Sequence, residues 1–248
     1  MSKHDMLNIF HNSKPIIGVI HCKGDSDADV MERAKREIAI YQEYLDGILV
    51  ETYFGTYHQV EQVLAYMESI PRGIPYGINC LKVEAMCFEL AIKYHCDFMQ
   101  IDSVASHLKD RDNESLDAFY NMYRAKCPAK LLGGVRFKYQ PVRSTKTVAE
   151  DLHDGMRRCD AICVTQDETG QETEMGKIRE FREAIGDFPL FVCAGVTPKN
   201  VREQLSVADG AVVGSYFKDT YKDTGDVCAE HVQELMAEVK KLREEGGR

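Results

Sequence analysis

Four side chains spaced along the chain carry the groups that a small-molecule site needs: His21, Glu51, Asp102 and Lys138. Each closes or directly follows a short apolar run. Two carboxylates facing one rim can act as general acid and general base, or hold a divalent metal through oxygen. The imidazole would extend that to a mixed nitrogen and oxygen metal set, although the three positions have no ligand spacing that selects one. A lysine there binds an anionic substrate or, if burial depresses its pKa, forms a Schiff base. Asn79 and Thr165 end two further apolar runs, and Arg136 lies two residues before Lys138. These three are candidates for orienting a substrate and stabilising developing negative charge. Strand alternation would point Arg136 and Lys138 to the same side. Cys22, beside His21, is a nucleophile only if exposed with a stabilised thiolate; otherwise it is an inert small hydrophobe.

Glycines mark a second kind of chemistry. Phe191-Val192-Cys193-Ala194-Gly195-Val196-Thr197-Pro198 and Asp209-Gly210-Ala211-Val212-Val213-Gly214-Ser215 are apolar runs with small, backbone-exposing ends. Such ends let N–H groups approach an anion, as at the last two strands of phosphate-binding barrels. Gly195, Gly214 and Ser215 are therefore the candidate phosphate-binding residues, unless the glycines serve only tight turns.

These residues need a scaffold that brings strand ends together. Short apolar runs alternate with segments of helical period, which indicates βα units around a parallel sheet. The expected strands are Pro15–Ile20, Gly47–Glu51, Pro75–Cys80, Phe98–Asp102, Lys130–Phe137, Ala161–Thr165, Leu190–Ala194 and Ala211–Gly214. The expected helices are Asp29–Tyr44, Tyr57–Ser69, Val83–Tyr94, Glu114–Ala125, Val148–Arg158, Met175–Ile185, Pro198–Leu205 and Val227–Glu244. The second carries an apolar stripe of Val60, Val63, Leu64 and Met67, and Thr197-Pro198 supplies an N-cap and a first-turn proline for the seventh. Eight units over 248 residues predict an α/β fold, a (β/α)8 TIM barrel in a single domain over 1–248. A doubly wound open sheet is the competing architecture. In a barrel the strand ends share one rim, so all the candidates would meet there.

The formal net charge of −9 argues against a nucleic-acid partner and against an anionic membrane surface. Nine cysteines, an odd count without CxxC pairs, predict reduced thiols and a cytoplasmic setting. The stretch Met1–Lys14 is polar and lacks an apolar leader core, and no run is long enough to insert into a membrane. The tail from Val227 to Arg248 reads as an amphipathic last helix, and a homodimer is the expected oligomer.

Several of these segments together resemble the BtpA/SgcQ family. They are Pro15-Ile16-Ile17-Gly18-Val19-Ile20-His21, Glu32-Arg33-Ala34, Asp46-Gly47-Ile48-Leu49-Val50-Glu51, Pro75-Tyr76-Gly77-Ile78-Asn79, Thr169-Gly170, Gly195-Val196-Thr197-Pro198-Lys199-Asn200-Val201 and Asp209 to Lys218. The resemblance implies a TIM-like barrel of the ribulose-phosphate-binding type. It also implies either a role in sugar or nucleoside-like metabolism or one in photosystem I biogenesis. This chain departs from the family pattern in rim loops, at Cys22-Lys23-Gly24-Asp25, at Thr52 and at Val83-Glu84.

Two functions follow as expectations. One is a metabolic enzyme acting on a small phosphorylated sugar or nucleoside-like metabolite, an isomerase, lyase or hydrolase, with a divalent metal as a possible cofactor. The other is a non-catalytic biogenesis or assembly factor, or a metabolite-binding scaffold, that keeps the barrel without turnover.

Overall fold

A parallel sheet of apolar strands must be covered on both faces, and this chain does so by closing the sheet on itself. The computed structural model describes residues 6–105 and 112–246; 1–5 of the polar N-terminal stretch and 247–248 of the tail lie outside the described residues. Eight parallel strands follow one another around a closed barrel: β1 (Ile16–Ile20), β2 (Gly47–Glu51), β3 (Tyr76–Asn79), β4 (Phe98–Ile101), β5 (Lys130–Gly134), β6 (Ala161–Val164), β7 (Leu190–Val192) and β8 (Gly210–Val213). Ile17 pairs with Val212, so β1 meets β8 and the open-sheet alternative is excluded.

The covering helices are α1 (Asp27–Tyr44), α2 (Tyr57–Ser69), α3 (Glu84–Lys93), α4 (Asn113–Arg124), α5 (Val148–Met156), α6 (Met175–Ile185), α7 (Val201–Val207) and α8 (Ala229–Gly246). Local chemistry starts several of them. Ser26 caps α1 by accepting from the Asp29 N–H, and Thr56 with Gln59, and Thr147 with Glu150, form capping boxes on α2 and α5.

Alternation along each strand builds two apolar layers. Ile48 and Val50 face outward onto the Val60, Val63, Leu64 and Met67 stripe of α2. Ile17, Val19, Leu49, Phe98, Leu132 and Phe191 fill the barrel interior. The N-terminal stretch does more than its polarity suggests. Met6 and Phe10 flank a 3-10 turn, Leu7–Ile9, and plug the barrel floor, with the Phe10 ring 5.9 Å from Phe98 and 6.3 Å from Phe191. Burying each such side chain contributes about 1.5–3 kcal/mol.

Two local expectations are corrected. β5 stops at Gly134 and does not continue to Phe137. A Cβ at Gly134 would lie 2.3 Å from the Asp102 carbonyl oxygen, so the chain passes close to the β4 end there and then turns, with Arg136 in the left-handed region at φ 48°. The alternation that would aim Arg136 and Lys138 alike is broken at that point. Likewise α7 begins at Val201 behind Asn200, and not at Pro198. Thr197 and Pro198 open a tight turn in which Asn200 Oδ1 accepts from the Thr197 N–H at 2.8 Å and Asn200 Nδ2 donates to the Gly195 carbonyl at 2.9 Å.

Candidate functional site

Because the inward positions change from apolar to polar at the C-terminal end of the strands, the interior opens there into a cavity of about 510 Å³. Its wall joins His21, Glu51, Gln100 and Lys138 from the barrel axis to Gly195, Gly214 and Ser215 from the ends of β7 and β8. His21, Glu51 and Lys138 thus border one space with the glycine-rich ends, while Asp102 and Asn79 stand behind that wall, joined to Glu51.

Glu51 ends β2 on the inward face and is buried. Its Oε1 accepts from Asn79 Nδ2 at 3.4 Å, and the same amide donates to Asp102 Oδ1 at 3.0 Å. Asn79 therefore ties the two carboxylates together. Burial pushes the Glu51 carboxyl up to about 7, with Lys138 working against that rise and the Asp102 charge adding to it. Near neutral pH Glu51 is divided between acid and base forms, the condition that suits proton transfer.

His21 is held by its own geometry. Nδ1 lies 3.1 Å from the Asp223 carbonyl, and a carbonyl only accepts, so Nδ1 carries the proton and Nε2 presents a lone pair. Nε2 is 3.8 Å from Glu51 Oε2. Burial foremost, then the Lys218 and Lys138 charges, lower the ring to about 3, outweighing the raising effect of the Asp223 carbonyl. The pair is therefore a neutral imidazole facing a carboxyl and not an ion pair, with a gap too long for a direct hydrogen bond. The Tyr53 and Phe54 rings pack on the imidazole at 5.1 and 5.8 Å.

Lys138 reaches the cavity because its own N–H is anchored by Thr165 Oγ1 at 2.7 Å. Thr165 is fully buried, so it positions a loop rather than bordering the space. Arg136 is not brought to the site. Its Nε donates to Asp151 Oδ2 at 2.8 Å and its Nη2 to the Lys146 carbonyl at 2.6 Å, which turn it outward onto α5. Cys22 is buried, and burial raises its thiol well above the ordinary range, as an inert thiol requires. All nine cysteines are free thiols and eight of them are buried.

At the glycine-rich ends the three residues differ. Gly195 has φ 65°, and a Cβ there would meet the Gln171 and Glu172 backbone at 2.3 Å, so its first duty is close chain packing. Gly214 is open: a Cβ would stand 3.7 Å from the His21 ring. Ser215 faces Gly170 across the cavity wall. Lys199 adds a cationic side chain to the same wall.

Two residues of the site escaped sequence reasoning that weighed only strand ends. Lys199 was visible only as part of a turn motif. Gln100 was visible as the one polar residue inside the apolar run Phe98–Ile101. Among the described residues no three His, Cys, Asp or Glu side chains gather as a metal-binding group.

Fold and cavity together define a (β/α)8 barrel with a cavity at its C-terminal face. The chain belongs to the BtpA family, whose model matches residues 12–241. An uncharacterised protein of Pyrococcus abyssi (strain GE5 / Orsay) is 28% identical over 94% of this chain and 98% of its own length. The photosystem I biogenesis protein BtpA of Synechocystis sp. is 23% identical over 86% of this chain and 84% of its own length. Among solved structures, the 2-keto-3-deoxy-6-phosphogluconate aldolase of Zymomonas mobilis ZM4 with 3-phosphoglycerate superposes with a TM-score of 0.62 at 14% identity, covering 96% of this chain and 95% of that one. That likeness speaks for the fold alone. No helix among the described residues is long and apolar enough to cross a membrane.

Proposed function

We propose that this protein is an enzyme performing acid–base chemistry on a small phosphorylated metabolite. The observation that supports the reading best is that one cavity joins Glu51, poised near neutrality, to the open Gly214 and Ser215 ends of β8. The phosphoryl group would take backbone N–H groups around Gly214 and Ser215 with Lys199 beside it. Glu51 would then give or take a proton, Asp102 and Asn79 would hold it in place, and Lys138 would offset negative charge developing on the substrate. Isomerisation, carbon–carbon or carbon–nitrogen cleavage and hydrolysis are the reaction classes that such a set serves. The 3-phosphoglycerate named with the Zymomonas aldolase is a phosphorylated ligand on the same fold and supports the general reading.

The test is a thermal-shift screen of sugar phosphates, nucleotides and divalent metals on the native protein and on Gly214→Asp, whose carboxylate would repel phosphate. A shift confined to the native protein supports the reading; no phosphate-dependent shift at millimolar ligand rejects it. The name of the Synechocystis relative favours a second reading, a biogenesis factor without turnover. That reading gains if no phosphorylated compound binds and Glu51→Gln leaves the protein's cellular role intact.

A further inference from the structure

Gln100 sits on β4 two residues after Phe98, so both face the barrel interior, and at 5% exposure it borders the cavity rather than solvent. Its Nε2 donates to Asp102 Oδ1 at 3.1 Å. Because a carboxylate oxygen can only accept, this bond fixes which end of the amide points where. Oε1 is left without a hydrogen-bond partner among the described residues and is itself covered, so a ligand hydroxyl meets it only when the side chain shifts toward the cavity that Gln100 borders. Asn79 cannot turn to serve it, since its amide is already committed to Glu51 and Asp102. A buried amide carbonyl without a donor is costly, and such orphans are rare unless a ligand or water completes them.

We propose that Gln100 is a specificity-determining residue whose Oε1 accepts a hydrogen bond from a hydroxyl group of the bound ligand. The proposal rests on the reading of the cavity as a phosphorylated-metabolite site and names the ligand's other end: a polyhydroxylated ester, a sugar phosphate, rather than a phosphorylated keto or carboxylic acid. Gln100 joins Glu51 through the chain Glu51–Asn79–Asp102–Gln100, so the hydroxyl it reads lies in the compartment of Glu51. Discrimination then works in both directions. A donor hydroxyl completes Oε1, whereas a carbonyl or carboxylate oxygen in that place would face another acceptor and be rejected. Sites built to hydrogen-bond a substrate hydroxyl discriminate strongly against the analogue that lacks it, because the protein group is then left unpaired.

The experiment is calorimetric titration of the full chain and of Gln100→Met with inorganic phosphate, ribose 5-phosphate and glucose 6-phosphate, followed by the single-deoxy analogues of whichever sugar phosphate binds more tightly. The native protein should prefer one sugar phosphate over inorganic phosphate, and Gln100→Met should lose about 10-fold or more of that preference with inorganic phosphate unchanged. One deoxy analogue should bind the native protein as weakly as the parent compound binds Gln100→Met, and the two changes together should cost little more than either alone. If Gln100→Met fails to fold, the deoxy series on the native protein decides, since one analogue must lose about 10-fold. Full retention of sugar-phosphate affinity in Gln100→Met, or equal deoxy losses in both proteins, overturns the proposal while leaving the phosphate site standing. Failure of inorganic phosphate and of both esters to bind removes the phosphate reading and this proposal with it.

Discussion

At the scale of single residues, burial turns ordinary side chains into unusual acids and bases. Glu51 keeps its proton to about 7 in the folded chain, while an unfolded chain releases it near ~4.3. Between those values the folded state holds the extra proton, so the stabilisation is complete below the lower pKa and lost as pH rises through the upper one. Glu51→Gln, which cannot titrate, should therefore gain about 2–3 kcal/mol on the native protein between roughly pH 4.5 and 7.5, measured by urea unfolding at both ends. A constant difference would show that Glu51 is ionised throughout. His21 has the opposite sign. Its folded pKa lies well below its ordinary value, so stability is lost as pH falls below about 6.5, and its ring resonances should not titrate between about pH 5 and 8. An imidazole that protonates near 6 would remove the neutral ring from the site.

Secondary-structure elements decide which residues reach the rim, and glycine is where that decision is testable. Gly195 and Gly214 look alike in the sequence but face different surroundings. Gly195→Ala forces a left-handed alanine with its Cβ 2.3 Å from the Gln171–Glu172 backbone, and should cost roughly 3 kcal/mol or more in denaturant unfolding. Gly214→Ala meets nothing nearer than 3.7 Å and should change stability by under about 1 kcal/mol. Its methyl group enters the cavity, so phosphate-ester affinity should fall while the fold persists. Equal destabilisation by both would mean that the β8 end is as tightly packed as the β7 end. The β5 end follows the same logic. The close approach of Gly134 to the Asp102 backbone ends β5 early, and the turn that follows lets Arg136 swing out to Asp151 while Lys138 returns to the mouth.

For the molecule as a whole, closure joins the first βα unit to the last, and a buried ion pair crosses that seam. Lys218, 1% exposed behind β8, places Nζ 3.1 Å from Glu37 Oε1 on α1. Breaking a buried pair from one side strands a charge, so Lys218→Met should cost about 3–5 kcal/mol in urea unfolding, while Lys218→Met with Glu37→Leu should recover most of it. Equal losses in the single and double variants would mean that packing, not charge, holds the seam. The eight-unit alternation, most element bounds, the inward carboxylates and the glycine-rich ends were legible in the sequence, because period and turn chemistry are local properties of the chain. So was the common rim, once eight units implied a closed barrel. The outward course of Arg136, the packing duty of Gly195, the floor plug of Met6 and Phe10 and the unpartnered oxygen of Gln100 were not legible. Each depends on which distant backbone or side chain lies within a few ångströms, and that is set only when the ring closes and the strands take their register.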